Sequence, residues 1–428
     1  MRSVNAPDPS HASDTPAAPD TSNAPRPLEG VRVLDLTRVL SGPHCTRMLC
    51  DLGADVIKVE PPDGDMTRFA NPRVNSLSTY FVQQNTGKRN VSLDMSTPEG
   101  VELLLGLAER CDVLVENFRP GVADRMGIGY EAIAARNPRI VYASISGYGQ
   151  TGPWVGRRAY APVVGAESGA TKLSGDARGG QYANDPLSHA DVYTAIECAS
   201  AVLAALFQRE RTGRGDRIDV AMAQTMLYVN EHVHDQLWDR DVPADWIRSF
   251  QPGDYPVLTC ANGETVIISG HPAERGTFDR FVRAMEAPEL FDDPRFTDVP
   301  SRLANYGALM DRMRAWAATV PDPDQLEERM AAQGLACGRL RSVAEICATD
   351  WAAARRVVVE VSDRGSGTLR IPNAPWRFAG SEVGVRGEPR YRGEDNHAVL
   401  REVLGLSDDR LHELDAKGVL SSRVPGRS

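Results

Sequence analysis

A strand–helix–strand pattern that recurs along the early part of the chain limits the fold more than any other feature. The apolar run Val31-Arg-Val-Leu-Asp-Leu36 reads as a strand, Gly42-Pro43 breaks it, and a short helix follows through Leu52 until Gly53 closes it. Asp55-Val-Ile-Lys-Val59 then reads as a second strand. So short a helical crossover calls for a parallel pair with a right-handed connection. In the next unit Thr97 caps and Pro98 takes the first helical position, while Val101, Leu104, Leu105 and Ala108 share a face before the strand Asp112–Glu116. A helix near Tyr130 to Arg136 and a strand over Arg139–Ser144 complete a third unit. The expected fold class is α/β, with a Rossmann-like open parallel sheet as the large domain, although no G-x-G-x-x-G follows any strand.

Farther on, a long helix rich in Ala, Val and Leu runs from about Asp191 to Arg211 and ends at Thr212-Gly-Arg-Gly215. Strand Arg217–Ala221 follows, then a helix that is apolar almost all round and therefore has to be buried, in the core or against a second subunit. Between about 240 and 340 short strands such as Val266–Ser269 alternate with amphipathic helices and Asp-Pro breaks, the texture of a smaller α+β domain. The closing helix has Ser407 as cap and Gly418 past its end. The expected plan is a disordered tail over 1–26, the N-terminal part of the large domain over 27–225, the small domain over 240–340 and a C-terminal part over 345–428.

Composition excludes several classes. With 428 residues, 42% hydrophobic and 25% charged, the chain resembles ordinary globular proteins, and no uninterrupted apolar run approaches the ~20 residues of a bilayer span. A net charge of −10 argues against a nucleic-acid surface. Lys58, Lys88, Lys172 and Lys417 are the only lysines, so Arg carries nearly all the positive charge. Seven scattered cysteines (Cys45, Cys50, Cys111, Cys198, Cys260, Cys337, Cys347) never form a metal knuckle and read as reduced, mostly buried thiols. Residues 1–26, with prolines among Ser, Ala and Asp, lack the apolar stretch of a signal peptide, so a cytoplasmic protein is expected.

Asp191, in Leu187-Ser-His-Ala-Asp-Val-Tyr193, opens the long helix, where the dipole favours its ionised form and a capping role is the first reading. His189, His232 and His234, with Asp235 and Asp239 nearby, fit no zinc or nucleophile spacing, and no metal is expected. Arg214-Gly-Asp-Arg217 reads as a helix-to-strand turn. Arg38, Arg125 and Arg158 lie near strand ends, where open α/β sheets bind ligands and Arg pairs well with phosphate.

Taken in order, several passages resemble the class III coenzyme A transferases, the CaiB/BaiF family. They are Leu28-Glu-Gly-Val-Arg-Val-Leu-Asp-Leu36 into Gly42-Pro43, Leu52-Gly-Ala-Asp-Val-Ile-Lys-Val-Glu60, Gly64-Asp-Met-Thr-Arg68, Asn85-Thr-Gly-Lys-Arg89 and Leu93-Asp94. Asp112-Val-Leu-Val-Glu-Asn-Phe118, Arg139-Ile-Val-Tyr142, Gly147-Tyr-Gly149 and Arg211-Thr-Gly-Arg-Gly215 continue the likeness, which runs from about 27 to 420. The resemblance implies a large domain built from both chain ends, a small domain in the middle and a homodimer of interlocked subunits. It implies no permanently bound cofactor; coenzyme A and acyl-CoA enter as substrates, with a carboxylic acid as acceptor.

The same resemblance turns Asp191 from a cap into the nucleophile that carries an aspartyl-CoA thioester. It assigns coenzyme A contacts to Arg38, Leu40 and Ser41, to Leu93 through Ser96 with Asn117 and Phe118 for the nucleotide end, and to Arg125, Met126, Arg158 and Tyr160. Relative to the formyl-CoA/oxalate enzymes this chain has Leu40 for a Gln, Pro61 for an Arg and Ser96 for a Lys, and Ser269-Gly-His-Pro272 in place of a Gly-rich loop, which puts oxalate in doubt. Related racemases use a His and an Asp, and Tyr160 falls where that His aligns. An acyl-CoA racemase, an intramolecular CoA-transfer isomerase and a non-catalytic acyl-CoA-binding protein remain the alternatives.

Overall fold

The computed structural model of the protein describes residues 25–241 and 252–425, so the expected tail lies outside the described residues except at Pro25 and Arg26. The elements that build the site are β1 (Arg32–Asp35), α1 (Ser41–Asp51), β2 (Asp55–Glu60), β3 (Arg89–Ser92), α2 (Pro98–Glu109), β4 (Val113–Glu116), β5 (Val141–Ser146), α3 (His189–Thr212), β6 (Asp216–Ala221) and α4 (Met222–Tyr228).

The six strands form one parallel sheet in the order β3-β2-β1-β4-β5-β6. Val33 is paired with Val56 on one side and Val113 on the other. Alternate side chains leave opposite faces of a strand, and both faces of the central strands β1, β4 and β5 are covered, which is why their buried stretches are mostly apolar. Val33, Val56, Val113 and Val115 pack under α1 and α3, with Cys45, Leu49, Ala195 and Val202. Leu34, Ile57, Val59 and Leu114 pack on the other face with Leu104 and Leu107 of α2 and with Val399 and Leu411 from the C-terminal helices Asn396–Leu404 and Asp408–Ala416.

Helix ends follow local rules. The Thr97 hydroxyl accepts from Gly100 N at 3.1 Å with Pro98 at the first turn of α2. Ser407 accepts from Arg410 N at 3.3 Å. Edge strand β3 was not evident from its sequence, because Arg-Asn-Val-Ser carries one apolar residue, Val91. Its pairing is fixed by neighbours instead, as Asn90 N donates to Asp395 at 2.8 Å and Ser92 N to Asn396 at 2.8 Å.

By length and average composition α3 could cross a membrane, although no uninterrupted apolar run in it reaches that length. Its small and polar residues interrupt the run without lowering its average. The helix instead lies on the sheet, with Ala195, Cys198, Ala199 and Val202 buried in the core beside α1. Helix α4 is less covered than its composition demands: Met222 and Thr225 are buried, whereas Leu227 and Tyr228 stay exposed.

The chain divides into two compact units. One takes the chain up to Thr171, Asn184–Glu231 and Arg355 onward, and holds the six-stranded sheet. The other takes Lys172–Ala183 and His232–Ala354. It contains the antiparallel strands Val257–Thr259, Thr265–Ile268 and Cys337–Arg339, packed on helices Thr277–Ala284, Tyr306–Ala317 and Pro323–Ala332 through Phe278, Phe281, Met313 and Leu326.

Candidate active site

In a sheet of this order the connections leave β1 and β4 toward opposite edges, and a crevice opens beyond their carboxyl ends. A cavity of about 440 Å³ occupies that place. Arg38 and Val39 reach it from the loop after β1 and Ser41 from the start of α1, Asn117 and Phe118 from just beyond β4, Ser146, Gly147, Arg158 and Tyr160 from β5 and the loop beyond it, and Met222 from the start of α4. Asp191, in the first turn of α3, completes the wall.

The Asp191 carboxylate does not cap its own helix. Ser188 holds the N-cap position without a side-chain bond, and the Asp191 carboxylate lies close enough to the Ser41 hydroxyl for that group to favour its anion. Burial pushes the carboxyl up to about 6, and the Ser41 hydrogen bond opposes that rise by favouring the anion. Helix α1 likewise begins at Leu40 without a side-chain cap, so the positive end of its dipole is open beside the carboxylate. Replacing Ser41 by Ala should therefore move the acid limb of kcat/KM upward by up to about one pH unit, because one hydrogen bond to the anion is lost. A pH–rate profile superimposable on wild type would contradict this role.

The loop that carries Arg38 to Ser41 is held from below by buried charge. Val39 has φ +70°, a left-handed conformation costing a β-branched residue about 1–3 kcal/mol. Its N–H donates to the Asp65 carboxylate at 3.2 Å. Asp65 faces Lys58 at 3.5 Å, and Lys58 Nζ donates to Thr37 O at 2.7 Å. Asp35 accepts from Thr37 N at 2.9 Å, Thr46 Oγ1 at 2.7 Å and Lys88 Nζ at 3.0 Å. Burial pushes Asp35 up, but Lys88, Lys58 and the two threonines outweigh it and hold it at about 2. Gly42 is required by close approach, since a Cβ there would sit 2.2 Å from Cβ of Thr37. Nothing in the periodicity of the strands marked Lys58 or Lys88, two of the four lysines, as fully buried.

Of the residues singled out in the sequence, Arg38, Ser41, Asn117, Phe118, Arg158, Tyr160 and Asp191 meet in this one cavity. The Asn117 amide clamps the loop, accepting from Arg38 N at 2.8 Å and donating to Arg38 O at 2.8 Å. Leu40, Leu93, Ser96, Arg125 and Met126 do not line it. Leu40 is buried at the start of α1, and Leu93 is fully buried among core residues, so its side chain has no ligand-facing surface. Ser96 and Arg125 are exposed, and Met126 packs on the core. Val39, Met66, Arg157 and Met222 line the cavity without having been singled out; no residue-type pattern identifies them before the loops are placed. No histidine lines it, and among the described residues no cluster of His, Cys, Asp and Glu is arranged to hold a metal.

Comparison with known proteins identifies the family of the chain. Residues 28–396 match the model of CoA-transferase family III. A formyl-CoA:oxalate CoA-transferase of Streptomyces avermitilis is 36% identical over 417 residues, covering 92% of this chain and 99% of that protein. The succinyl-CoA:glutarate CoA-transferase of Mus musculus is 32% identical over 399 residues, covering 92% and 90%. The crystal structure of a CaiB/BaiF family protein from Brucella suis superimposes with a TM-score of 0.76 at 31% identity, covering 89% of this chain and all of that one. This chain is a member of CoA-transferase family III.

Proposed function

We propose that the chain transfers coenzyme A from an acyl-CoA to a carboxylic acid by way of an aspartyl-CoA thioester on Asp191. The observation that carries this is the Asp191 carboxyl in the wall of the switch-point cavity, beside Ser41. The carboxylate attacks the thioester carbonyl, forming an anhydride and releasing the CoA thiolate. The thiolate attacks the aspartyl carbonyl, which frees the donor acid and leaves Asp191 as a thioester. The acceptor carboxylate then attacks that thioester, giving a second anhydride and the thiolate again, and thiolate attack on the acceptor carbonyl regenerates Asp191 and yields the new acyl-CoA. An activated bond, thioester or anhydride, is present at every stage, so the exchange needs no other energy source. The open first turn of α1 is placed to stabilise the tetrahedral oxyanions.

Arg38, Ser41, Phe118, Arg158 and Tyr160 are the proposed contacts for coenzyme A, and Asn117 acts by holding the loop. The curated relatives name small acids, oxalate and glutarate, and a donor–acceptor pair of that size class suits a cavity of about 440 Å³. A panel of acyl-CoA donors against short carboxylic acids, followed by mass spectrometry, tests the activity; no exchange with any pair would count against it. Racemisation is disfavoured by the absence of a histidine in the lining, and solvent deuterium entering the α-carbon without an acceptor acid would restore it.

The chain is proposed to work as an interlocked homodimer. Ile196, Leu203 and Phe207 stand exposed on one face of α3, and Leu227 and Tyr228 on α4, an apolar surface that a second copy would cover. Sedimentation equilibrium should return twice the chain mass; a monomer at micromolar concentration would contradict this.

A further inference from the structure

The wall that Asn117 and Phe118 give to the Asp191 cavity is tied to the sheet by a carboxylate that does not itself line that cavity. Glu116 is the last residue of β4 and is 3% exposed. Its side chain accepts from Phe118 N at 2.8 Å, which closes a turn around Asn117. It is paired in register with Ser144 of β5, whose hydroxyl is close enough to favour the anion. The carboxyl borders a separate chamber of about 10 Å³, room for about one water molecule. Arg119 borders both spaces, so the short segment 117–119 stands between Glu116 and the Asp191 cavity.

The charged and titratable groups around Glu116 are Asp124 of the helix Val122–Arg125, Tyr142 of β5, Arg217 of β6, and Arg119 and Tyr130 in the chamber wall. Asp219 follows Ser144 in the same row of the sheet and accepts from Gln150 N at 2.8 Å. Burial pushes Glu116 up to about 7; Asp124 adds to that push, while Ser144, the Phe118 N–H and Arg217 oppose it. An N–H bond to a carboxylate is roughly twice as strong as one to a neutral acceptor. We propose that Glu116 is a positioning residue for acyl-CoA, whose ionised side chain holds Phe118 and the segment 117–119 in place more firmly than the neutral acid does. Asn117 clamps Arg38 in turn, so a loosened turn also reaches the loop before Ser41. The proposal rests on the reading of this cavity as the acyl-CoA site. Glu116 touches no reacting atom, so its effect falls on binding and not on kcat.

The test is calorimetric titration of the full chain with coenzyme A between pH 6 and 8.5, comparing wild type with Glu116→Gln, which keeps an acceptor for the Phe118 N–H and cannot ionise. The ratio of the two affinities cancels titrations common to both proteins, those of Asp191 and the ligand phosphate among them. It should climb from near unity at pH 6 to about five-fold at pH 8.5, the difference between a neutral and a charge-assisted bond. The midpoint should lie near 7. Ser144→Ala, a second variant that leaves the Phe118 bond in place, should move the midpoint of the wild-type profile upward, because one group favouring the anion is lost. In exchange assays both variants should keep kcat within about two-fold while KM for acyl-CoA carries the change. A ratio that stays flat with pH, or a loss carried by kcat at unchanged KM, overturns the proposal. Wild type that neither binds coenzyme A nor exchanges it overturns the acyl-CoA reading and this proposal together, whereas binding and exchange with a flat ratio overturn this proposal alone.

Discussion

Asp191→Asn should lower kcat for CoA exchange by about 10⁴-fold or more while acyl-CoA binding changes only a few-fold, because the amide keeps the shape of the wall and loses the nucleophile. Steady-state exchange and direct titration with acyl-CoA measure the two quantities separately. The same variant should be more stable than wild type at alkaline pH. Asp191 sits at about 6 in the folded chain against an ordinary 3.8, so the stability it contributes is complete below 3.8 and is lost as pH rises through 6. Above that pH the wild type holds a half-buried anion at a cost of at most about 3 kcal/mol, reduced by solvent screening, and Asn does not. The advantage in thermal midpoint should be present at pH 8 and absent near pH 4. Exchange activity close to wild type in the Asn variant would remove Asp191 from the chemistry.

Lys88→Met should destabilise the large unit by about 3–5 kcal/mol, since it leaves the fully buried Asp35 carboxylate without its principal counter-charge. Lys88 also donates to Pro43 O at 2.9 Å and Asn85 Oδ1 at 2.9 Å, so its loss loosens the start of α1. Asp35 is held at about 2, below its ordinary value, so its contribution is present above 3.8 and disappears as pH falls toward 2. Urea unfolding of Lys88→Met, Asp35→Asn and the double variant measures the coupling. The double variant should recover much of the loss, because no unpaired charge remains. Additive losses would mean that the two residues act independently.

The parallel units were legible because β1, β2, β4 and β5 carry short apolar stretches separated by helices, of which α2 opens on an ordinary Thr97 cap. The edge strand β3 was not, since its register comes from Asp395 and Asn396, three hundred residues downstream. Asp191 shows the limit of local physics most clearly. A carboxylate at a helix start is ordinarily a cap, and only the packing of α3 beside the start of α1 gives it Ser41 instead. The buried lysines were invisible for a similar reason: a Lys within β2 has no signature until Asp65 and Thr37 are brought to it.

Mass spectrometry of the protein quenched during turnover with an acyl-CoA and reduced with borohydride tests the central claim most directly. Reduction of an aspartyl thioester converts that side chain to an alcohol. The account predicts this change on the peptide containing Asp191, dependent on acyl-CoA and absent from Asp191→Asn. An unmodified Asp191 in protein that is actively exchanging CoA, or a modification on another carboxylate, would contradict it.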